Sequence, residues 1–223
     1  METIRVVIAT FKNKISQEEI PFFRGSIIRL SDSASFFHNH QKEGFRYAYP
    51  LVQYKRIDGR AAILGINEGG GAIEQLFKDR VRYDCNLGNR QVEMELIGIR
   101  SERVEIHCMD QDAVYSIKGW LPLNSENYRN YLSADGLAEQ IAMLERILIG
   151  NILSLAKGVG IFFDAPVRCR ILQLENEKSF GYKSVELRSF SVKFRTNVSL
   201  PSYVGLGKSV SINNGVVTPI KEL

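Results

Sequence analysis

The sequence predicts an α+β protein made of two ferredoxin-like halves, each a split βαβ unit with an RRM-like sheet. Three observations predict this fold. The first hundred residues read as β-α-β-β-α-β, a second pattern of strands and a helix follows, and 223 residues with 44% hydrophobic side chains are enough for two cores. We therefore predict an N-terminal domain over residues 1–100 and a C-terminal domain over residues 101–223.

Apolar spacing predicts the first strand and the first helix. Ile4–Phe11 is rich in β-branched residues, which favour strands. Pro21 fits the first turn of a helix. From there apolar residues recur at alternate spacings of four and three on one helix face, and these are Phe23, Ile27, Leu30, Ala34 and Phe37. We expect the helix to begin near Pro21 and to run to the polar stretch after Phe37.

A hairpin and a second helix complete the first half. Strands are predicted over residues 46–54 and 61–66. Residues 68–71, Glu-Gly-Gly-Gly, then lead into a short helix, and a strand over residues 92–99 follows. The three glycines could cradle a phosphate, but the Lys-Ser/Thr pair of a P-loop is missing, so we interpret them as a tight strand-to-helix turn.

The second half contains one long helix among strands. Strands are predicted over residues 104–108, 113–119, 167–174 and 185–194. A helix beginning near Ser133 or Asp135 places a stripe of leucines and isoleucines on one face and ends near Gly158. Trp120 is interpreted as a core or interdomain anchor. We expect a variant of the first unit.

Composition indicates a reduced, cytoplasmic protein. The three cysteines, Cys85, Cys108 and Cys169, are odd in number and scattered, and no secretory signal precedes the first strand. No apolar run is long enough to span a bilayer, so we expect no membrane segment. The net charge of +4 comes from the two outer parts of the chain, while the middle is acidic, which permits a surface for a polyanion such as nucleic acid.

Two of the three histidines, His38 and His40, lie one residue apart. Residues i and i+2 share a side in an extended segment but diverge on a helix, so joint action requires the helix to end before His38. Imidazole exchanges protons near neutral pH, which makes the pair a candidate acid and base. The alternatives are a polar helix exit with solvated histidines, or a zinc site, for which no third ligand has recognisable spacing, so no metal is predicted.

A glycine-rich segment near the C-terminus is the second candidate site. Glycine lets backbone approach a ligand closely, and a lysine supplies a charge that suits phosphate. The segment is therefore a candidate site for a phosphate backbone, such as that of RNA, and the candidate residues are Gly205, Gly207, Lys208, Ser209, Asn213 and Gly215. The alternative is a glycine hairpin that joins two strands.

These features together resemble the CRISPR repeat-processing endoribonucleases of the repeat-associated mysterious protein superfamily. The resemblance covers nearly the whole chain and is strongest for the subtype-B branch, in which an active site with two histidines has been proposed; His38 and His40 fall where that pair would lie. The family's loop usually carries a second Gly-apolar-Gly pair and often a basic residue, whereas here Asn213-Asn214-Gly215 follows Ile212. Because asparagine tolerates the left-handed conformation, we expect the backbone path to survive.

The resemblance implies cleavage of CRISPR precursor RNA within each repeat, without metal or cofactor. The ribose 2′-OH is the nucleophile, and the products are a 2′,3′-cyclic phosphate and a 5′-OH end. A neutral imidazole can take the 2′-OH proton and an imidazolium can protonate the leaving oxygen. Lys55 is our candidate for stabilising the phosphorane charge, with an exposed hairpin lysine as the alternative.

Other assignments stay open at this point. One histidine could act with Lys55 or another nearby lysine or tyrosine, namely Lys42, Tyr47 or Tyr49. His107 is interpreted as structural. The partner implied is repeat RNA, and interference-complex subunits and a second copy of the chain are further candidates. The alternative functions are a non-catalytic subunit that binds repeat RNA and a metal-dependent hydrolase.

Overall fold

The computed structural model describes residues 3–31, 37, 40–41, 44–45, 49–182 and 185–220, with the backbone alone for 40–41, 44–45, 176–182 and 185–187. The fold is α+β, as predicted, and the chain divides into two compact units. One unit contains Thr3–Glu105 together with Ser211–Asn213. The other contains Ile106–Val210 and the residues from Asn214 onward.

The N-terminal unit contains seven strands and two helices among its described residues. In chain order they are β1 (Thr3–Lys14), α1 (Ile20–Leu30), β2 (His40–Gln41), β3 (Gly44–Phe45), β4 (Val52–Ile57), β5 (Arg60–Ile66), α2 (Glu68–Phe77), β6 (Arg82–Asn86) and β7 (Gln91–Glu105). The main sheet has the antiparallel order β4-β5-β1-β7-β6. The strands β1, β4, β5 and β7 therefore have the fourth-first-third-second order of a split βαβ unit, and β6 is an addition at one end.

Aromatic side chains form the core between this sheet and its helices. Phe11 of β1 makes edge-to-face contacts with Phe23 of α1, with Phe77 of α2 and with Tyr83 of β6. Such pairs contribute about 0.5–1.5 kcal/mol beyond their buried area. Of the predicted apolar stripe, Phe23, Ile27 and Phe37 belong to this core, and Leu30 packs against it.

The glycines after β5 form the first turn of α2, which confirms the tight strand-to-helix turn. A Cβ atom on Gly70 would lie 2.6 Å from Val7 Cγ2, and one on Gly69 would overlap the Leu51 carbonyl. Glycine is needed here because the start of the helix lies directly against the sheet and the chain before β4.

The C-terminal unit has the same strand order as the split βαβ unit of the N-terminal half, but a glycine-rich segment replaces its second helix. Its elements are β8 (Cys108–Trp120), α3 (Ser125–Leu132), α4 (Gly136–Gly158), β9 (Cys169–Tyr182), β10 (Val185–Val198) and β11 (Val216–Pro219). The order β11-β8-β10-β9 is again fourth-first-third-second. Where the second helix of the unit would lie, the glycine-rich segment joins β10 to β11. No helix in the described part of the chain is long and apolar enough to cross a membrane.

Several predicted boundaries were wrong. Helix α1 ends at Leu30, because the Ser31 hydroxyl and N–H both donate to the Ile28 carbonyl and close the last turn, whereas the apolar stripe predicted a helix as far as Phe37. Residues 104–108 are not a separate strand: β7 runs to Glu105 and β8 begins at Cys108. Helix α3 and strand β6 were not predicted.

Candidate active site and RNA-binding loop

The histidine segment, which we define as residues 38–48 between Phe37 and Tyr49, follows α1 in the sequence. His38 lies outside the described residues, and for His40 the structure describes the backbone alone. That backbone is extended in β2, where His40 pairs with Phe45 of β3. The spacing argument required an extended chain at His40, and this part of it is confirmed. The roles of both histidines stay predictions.

Phe37, the residue before His38, is anchored in the N-terminal core. Its side chain is 3% exposed and belongs to the cluster that contains Phe11, Phe23 and Tyr54. Packing of this ring fixes one end of the histidine segment. The sequence had placed Phe37 on the core face, and that placement is confirmed.

Lys55 lies in the middle of β4, and its side chain has no exposed surface. Burial lowers its pKa to about 7, because the ammonium loses its hydration. Neighbouring Tyr54 belongs to the core under the helices, so alternation along the strand places Lys55 and Gln53 on the opposite sheet face. In this conformation a phosphate could not touch Lys55 directly, and the exposed hairpin lysine considered as the alternative is wrong.

Gln53 fixes the other end of the histidine segment, and sequence reasoning missed it. Its side chain is fully buried, and Nε2 donates to the Tyr49 hydroxyl at 2.8 Å and to the Pro50 carbonyl at 3.1 Å. These bonds hold the stretch that enters β4. The available signal was the pair of polar residues, Gln53 and Lys55, at alternate positions between the apolar residues at the start of the strand. Of the other candidates near the histidines, Lys42 and Tyr47 lie outside the described residues.

The glycine-rich segment folds back onto β11. The N–H of Leu206 donates to the Gly215 carbonyl at 2.8 Å, and the N–H of Tyr203 donates to the Val217 carbonyl at 2.7 Å. Gly205 also forms a bridge with Val216. The segment therefore contains the glycine hairpin that the sequence offered as the alternative, and this does not exclude RNA binding by its exposed side.

Packing inside the segment accounts for its glycines. Gly207 has φ +93°, and a Cβ atom there would lie 2.9 Å from the Trp120 indole. Gly215 has φ +62°, and its Cβ would overlap the Leu206 carbonyl oxygen, while a Cβ on Gly205 would lie 2.5 Å from Val210. All three positions are closed to larger residues by the protein itself. A direct approach of these glycines to RNA stays a prediction.

Lys208 and Ser209 form the exposed corner of the segment. The Lys208 N–H donates to the Leu121 carbonyl at 3.2 Å, which fixes the backbone while the side chain is at the surface. Partial burial lowers the pKa of Lys208. The corner therefore offers a positioned ammonium and a hydroxyl, both of which suit phosphate oxygens.

Asn213 has the predicted left-handed conformation, with φ +67°. Its Oδ1 accepts from the Arg56 N–H of β4 at 3.0 Å, and its Nδ2 donates to Gln17 Oε1 at 2.7 Å. Beside it, the Ser211 carbonyl accepts from the Tyr54 N–H at 2.9 Å. The Asn213 side chain thus substitutes for a strand partner of β4. Its assignment to RNA stays a prediction.

The side chains of Trp120 and His107 both contact neighbouring protein groups. Trp120 is fully buried, and its indole N–H donates to Asn151 Oδ1 at 2.9 Å, so it is a core residue of the C-terminal unit. The ring Nδ1 of His107 lies 3.3 Å from the Ser199 hydroxyl. Among the described residues no three His, Cys, Asp or Glu side chains are grouped as metal ligands would be.

Two split βαβ units joined in one chain, with a glycine-rich segment in place of the last helix, define a tandem ferredoxin-like protein. Comparison with known proteins makes this more specific. A family model described as the Cas6b N-terminal domain matches residues 2–105, and one described as the Cas6b C-terminal domain matches residues 107–220. Because the two models together span both halves, the chain belongs to the Cas6b family.

Solved structures agree with the family. A crystal structure of Cas6b superimposes with a TM-score of 0.87 at 25% identity, and covers 98% of this chain and 100% of that one. A crystal structure of a CRISPR RNA processing endoribonuclease, Cas6b, gives a TM-score of 0.74 at 23% identity with the same coverage. An uncharacterised protein of Methanocaldococcus jannaschii is 34% identical over 108 residues, which are 48% of this chain and 71% of that protein.

Proposed function

We propose that the protein is a metal-independent endoribonuclease that cuts CRISPR precursor RNA within its repeats. The observation that carries the proposal is the match of both halves to Cas6b domains. A similar solved structure is that of a CRISPR RNA processing endoribonuclease. The two histidines in a short segment beyond α1 supply the proton-transfer groups that such a reaction needs.

In the proposed reaction the 2′-OH of the ribose before the cut attacks the adjacent phosphorus. One imidazole of the His38 and His40 pair takes the 2′-OH proton, and the imidazolium of the other gives a proton to the 5′-oxygen as the P–O bond breaks. The products are a 2′,3′-cyclic phosphate and a 5′-OH end. Positioned proton transfer of this kind contributes roughly 10²- to 10⁴-fold to the rate.

In this proposal Lys55 does not contact the phosphate. Its burial keeps the ammonium away from a bound phosphate, but a charge in a low-dielectric surrounding acts over a longer distance than one in water. We place Lys55 behind the site, where its charge stabilises the phosphorane indirectly. Since its pKa is about 7, this contribution fades as pH rises above neutrality.

The glycine-rich segment is proposed to hold the RNA backbone. Lys208 and Ser209 are exposed on a corner whose backbone is fixed by hydrogen bonds, so they are the residues of the segment that a phosphate can reach. The glycines and Asn213 then act by giving that corner its shape. The partner of this surface is repeat RNA.

The proposal is tested by cleavage of a CRISPR repeat RNA from the source organism, with purified protein in EDTA. We expect cleavage at one position in the repeat. His38→Ala and His40→Ala should each reduce the rate within the range of roughly 10² to 10⁴, while RNA affinity changes little. The double variant should lose much less than the product of the two effects, because the histidines act as one unit. Tight binding without cleavage by the wild type would instead assign the protein as a non-catalytic RNA-binding subunit.

A further inference from the structure

The strand β7 has an open edge. On one side it pairs with β1 from Leu96 to Glu105. On the other side β6 pairs with Gln91–Glu95, and the Leu96 N–H donates to the Val81 carbonyl at 2.8 Å. No strand in the described part of the chain pairs with this outer side from Ile97 to Glu105. The open edge is therefore nine residues long, with Ser101 at its midpoint.

Backbone groups along this edge are directed outward. The N–H and C=O of Arg5 in β1 both bond to Asn67, away from β7. Arg103 lies directly opposite Arg5, so its own N–H and C=O are directed away from β1. By alternation the same holds for Ser101 and Ile99. These three residues present donors and acceptors to a further strand.

Side chains on the edge are exposed and partly apolar. Ile97 is 53% exposed and Ile99 is 37% exposed. Arg100 and Glu102 lie on one face of the strand, where their charged groups are 3.6 Å apart. An exposed edge with apolar residues is a surface on which another strand can pair.

We propose that a second copy of this chain pairs with the edge, with the two β7 strands antiparallel about a twofold axis at Ser101. In that register Arg100 of each copy is opposite Glu102 of the other, and Gly98 is opposite Val104. The outward backbone groups of residues 99, 101 and 103 also meet their equivalents. An axis at residue 100 or 102 would place Arg100 opposite Arg100, or Glu102 opposite Glu102. The backbone pattern excludes a twofold axis that lies between two residues, and charge favours an axis at Ser101 over one at residue 100 or 102.

Charge exchange tests the register. We expect the wild type to show a monomer-dimer equilibrium by sedimentation between about 1 and 100 μM. Arg100→Glu should weaken the dimer at least tenfold, because two pairs of like charges then meet, and Glu102→Arg should do the same. The double variant Arg100→Glu with Glu102→Arg restores opposite charges, so its dimer constant should return to within about threefold of the wild type. A wild type that stays monomeric at all these concentrations would overturn the proposal, as would single variants that dimerise normally.

A cross-link gives a second readout that does not depend on affinity. In the proposed register the two Ser101 residues form a hydrogen-bonded pair with Cα atoms about 5.5 Å apart, within the range of a disulfide. Ser101→Cys should therefore give a covalent dimer on mild oxidation. Arg103→Cys is the matched control, because its two copies would be about 13 Å apart. Equal cross-linking of both variants, or of neither, would contradict the register.

Discussion

The side-chain amide of Gln53 donates a hydrogen bond of 2.8 Å to the hydroxyl of Tyr49. A second bond from the same nitrogen reaches the Pro50 carbonyl. Gln53 is fully buried, so these bonds are shielded from water and fix the chain that leads from the histidine segment into β4. Gln53 is therefore a positioning residue in the account proposed above.

Replacement of Gln53 should affect turnover more than binding. Gln53→Met keeps the volume but removes the donor. We expect the single-turnover cleavage rate to fall about fivefold, because loss of a hydrogen bond costs about 1 kcal/mol. RNA affinity should change less than about twofold. Gln91→Met, at an exposed position, is the matched control, and Tyr49→Phe tests the same bond from its other end. Equal loss of affinity and rate would show that Gln53 acts on folding instead.

Gly207 should not accept a side chain. Gly207→Ala places a Cβ against the Trp120 indole at a positive φ, and we expect a loss of about 1–3 kcal/mol in the free energy of unfolding. Gly150→Ala is the control: it lies inside α4 with open space around it, and the exchange should stabilise the protein by up to about 1 kcal/mol. Denaturant titration of both variants measures the difference. If the two substitutions have the same effect, the packing account of the segment is wrong.

Lys208 should contribute one phosphate contact. For single-stranded RNA, each contact adds about 0.7 to the slope of log affinity against log salt concentration. Lys208→Ala should lower that slope by about this amount and weaken binding at low salt. Lys157→Ala removes an exposed lysine from the end of α4 and should leave the slope unchanged. An unaltered slope for Lys208→Ala would remove this residue from the RNA surface.

Lys55 makes stability depend on pH in a defined direction. Its pKa is about 7 in the folded protein, against 10.5 as the ordinary value. Between these limits the unfolded chain binds more protons, so the free energy of unfolding rises with pH and is lowest, as far as Lys55 is concerned, below about pH 7.

Lys55→Met removes this dependence. The variant should exceed the wild type in stability by a few kcal/mol near pH 7, and the difference should shrink toward pH 10. Denaturant titrations at several pH values measure it, with the exposed Lys157→Met as the control. A difference that stays constant across this range would show that the buried side chain does not titrate as described.

The sequence predicted the architecture because its signals are local. The β-branched run of β1, the glycines at the start of α2 and the periodic stripe of α4 each specify an element without reference to distant residues. The end of α1 was predicted too late. The apolar stripe in the sequence continues to Phe37, and Phe37 does pack in the core, but α1 itself ends at Leu30.

Features of the site that depend on tertiary packing could not be predicted. A lysine in a hairpin strand is usually exposed, and nothing local to Lys55 shows that its neighbours bury it completely. Likewise, nothing local to Gly207 shows that Trp120, which lies far away in the sequence, packs against this glycine. The sequence showed which residues were unusual, but the contacts that explain them join distant strands.

The most direct test of the proposed reaction changes one atom of the substrate. A repeat RNA is made with deoxyribose in place of the single ribose on the 5′ side of the cut, and its cleavage and binding are measured in EDTA beside the unmodified RNA. We predict that the unmodified RNA gives a 2′,3′-cyclic phosphate end, and that the deoxy substrate is bound with nearly the same affinity but is not cut, because the nucleophile is missing. Cleavage of the deoxy substrate at an undiminished rate would contradict the proposed mechanism.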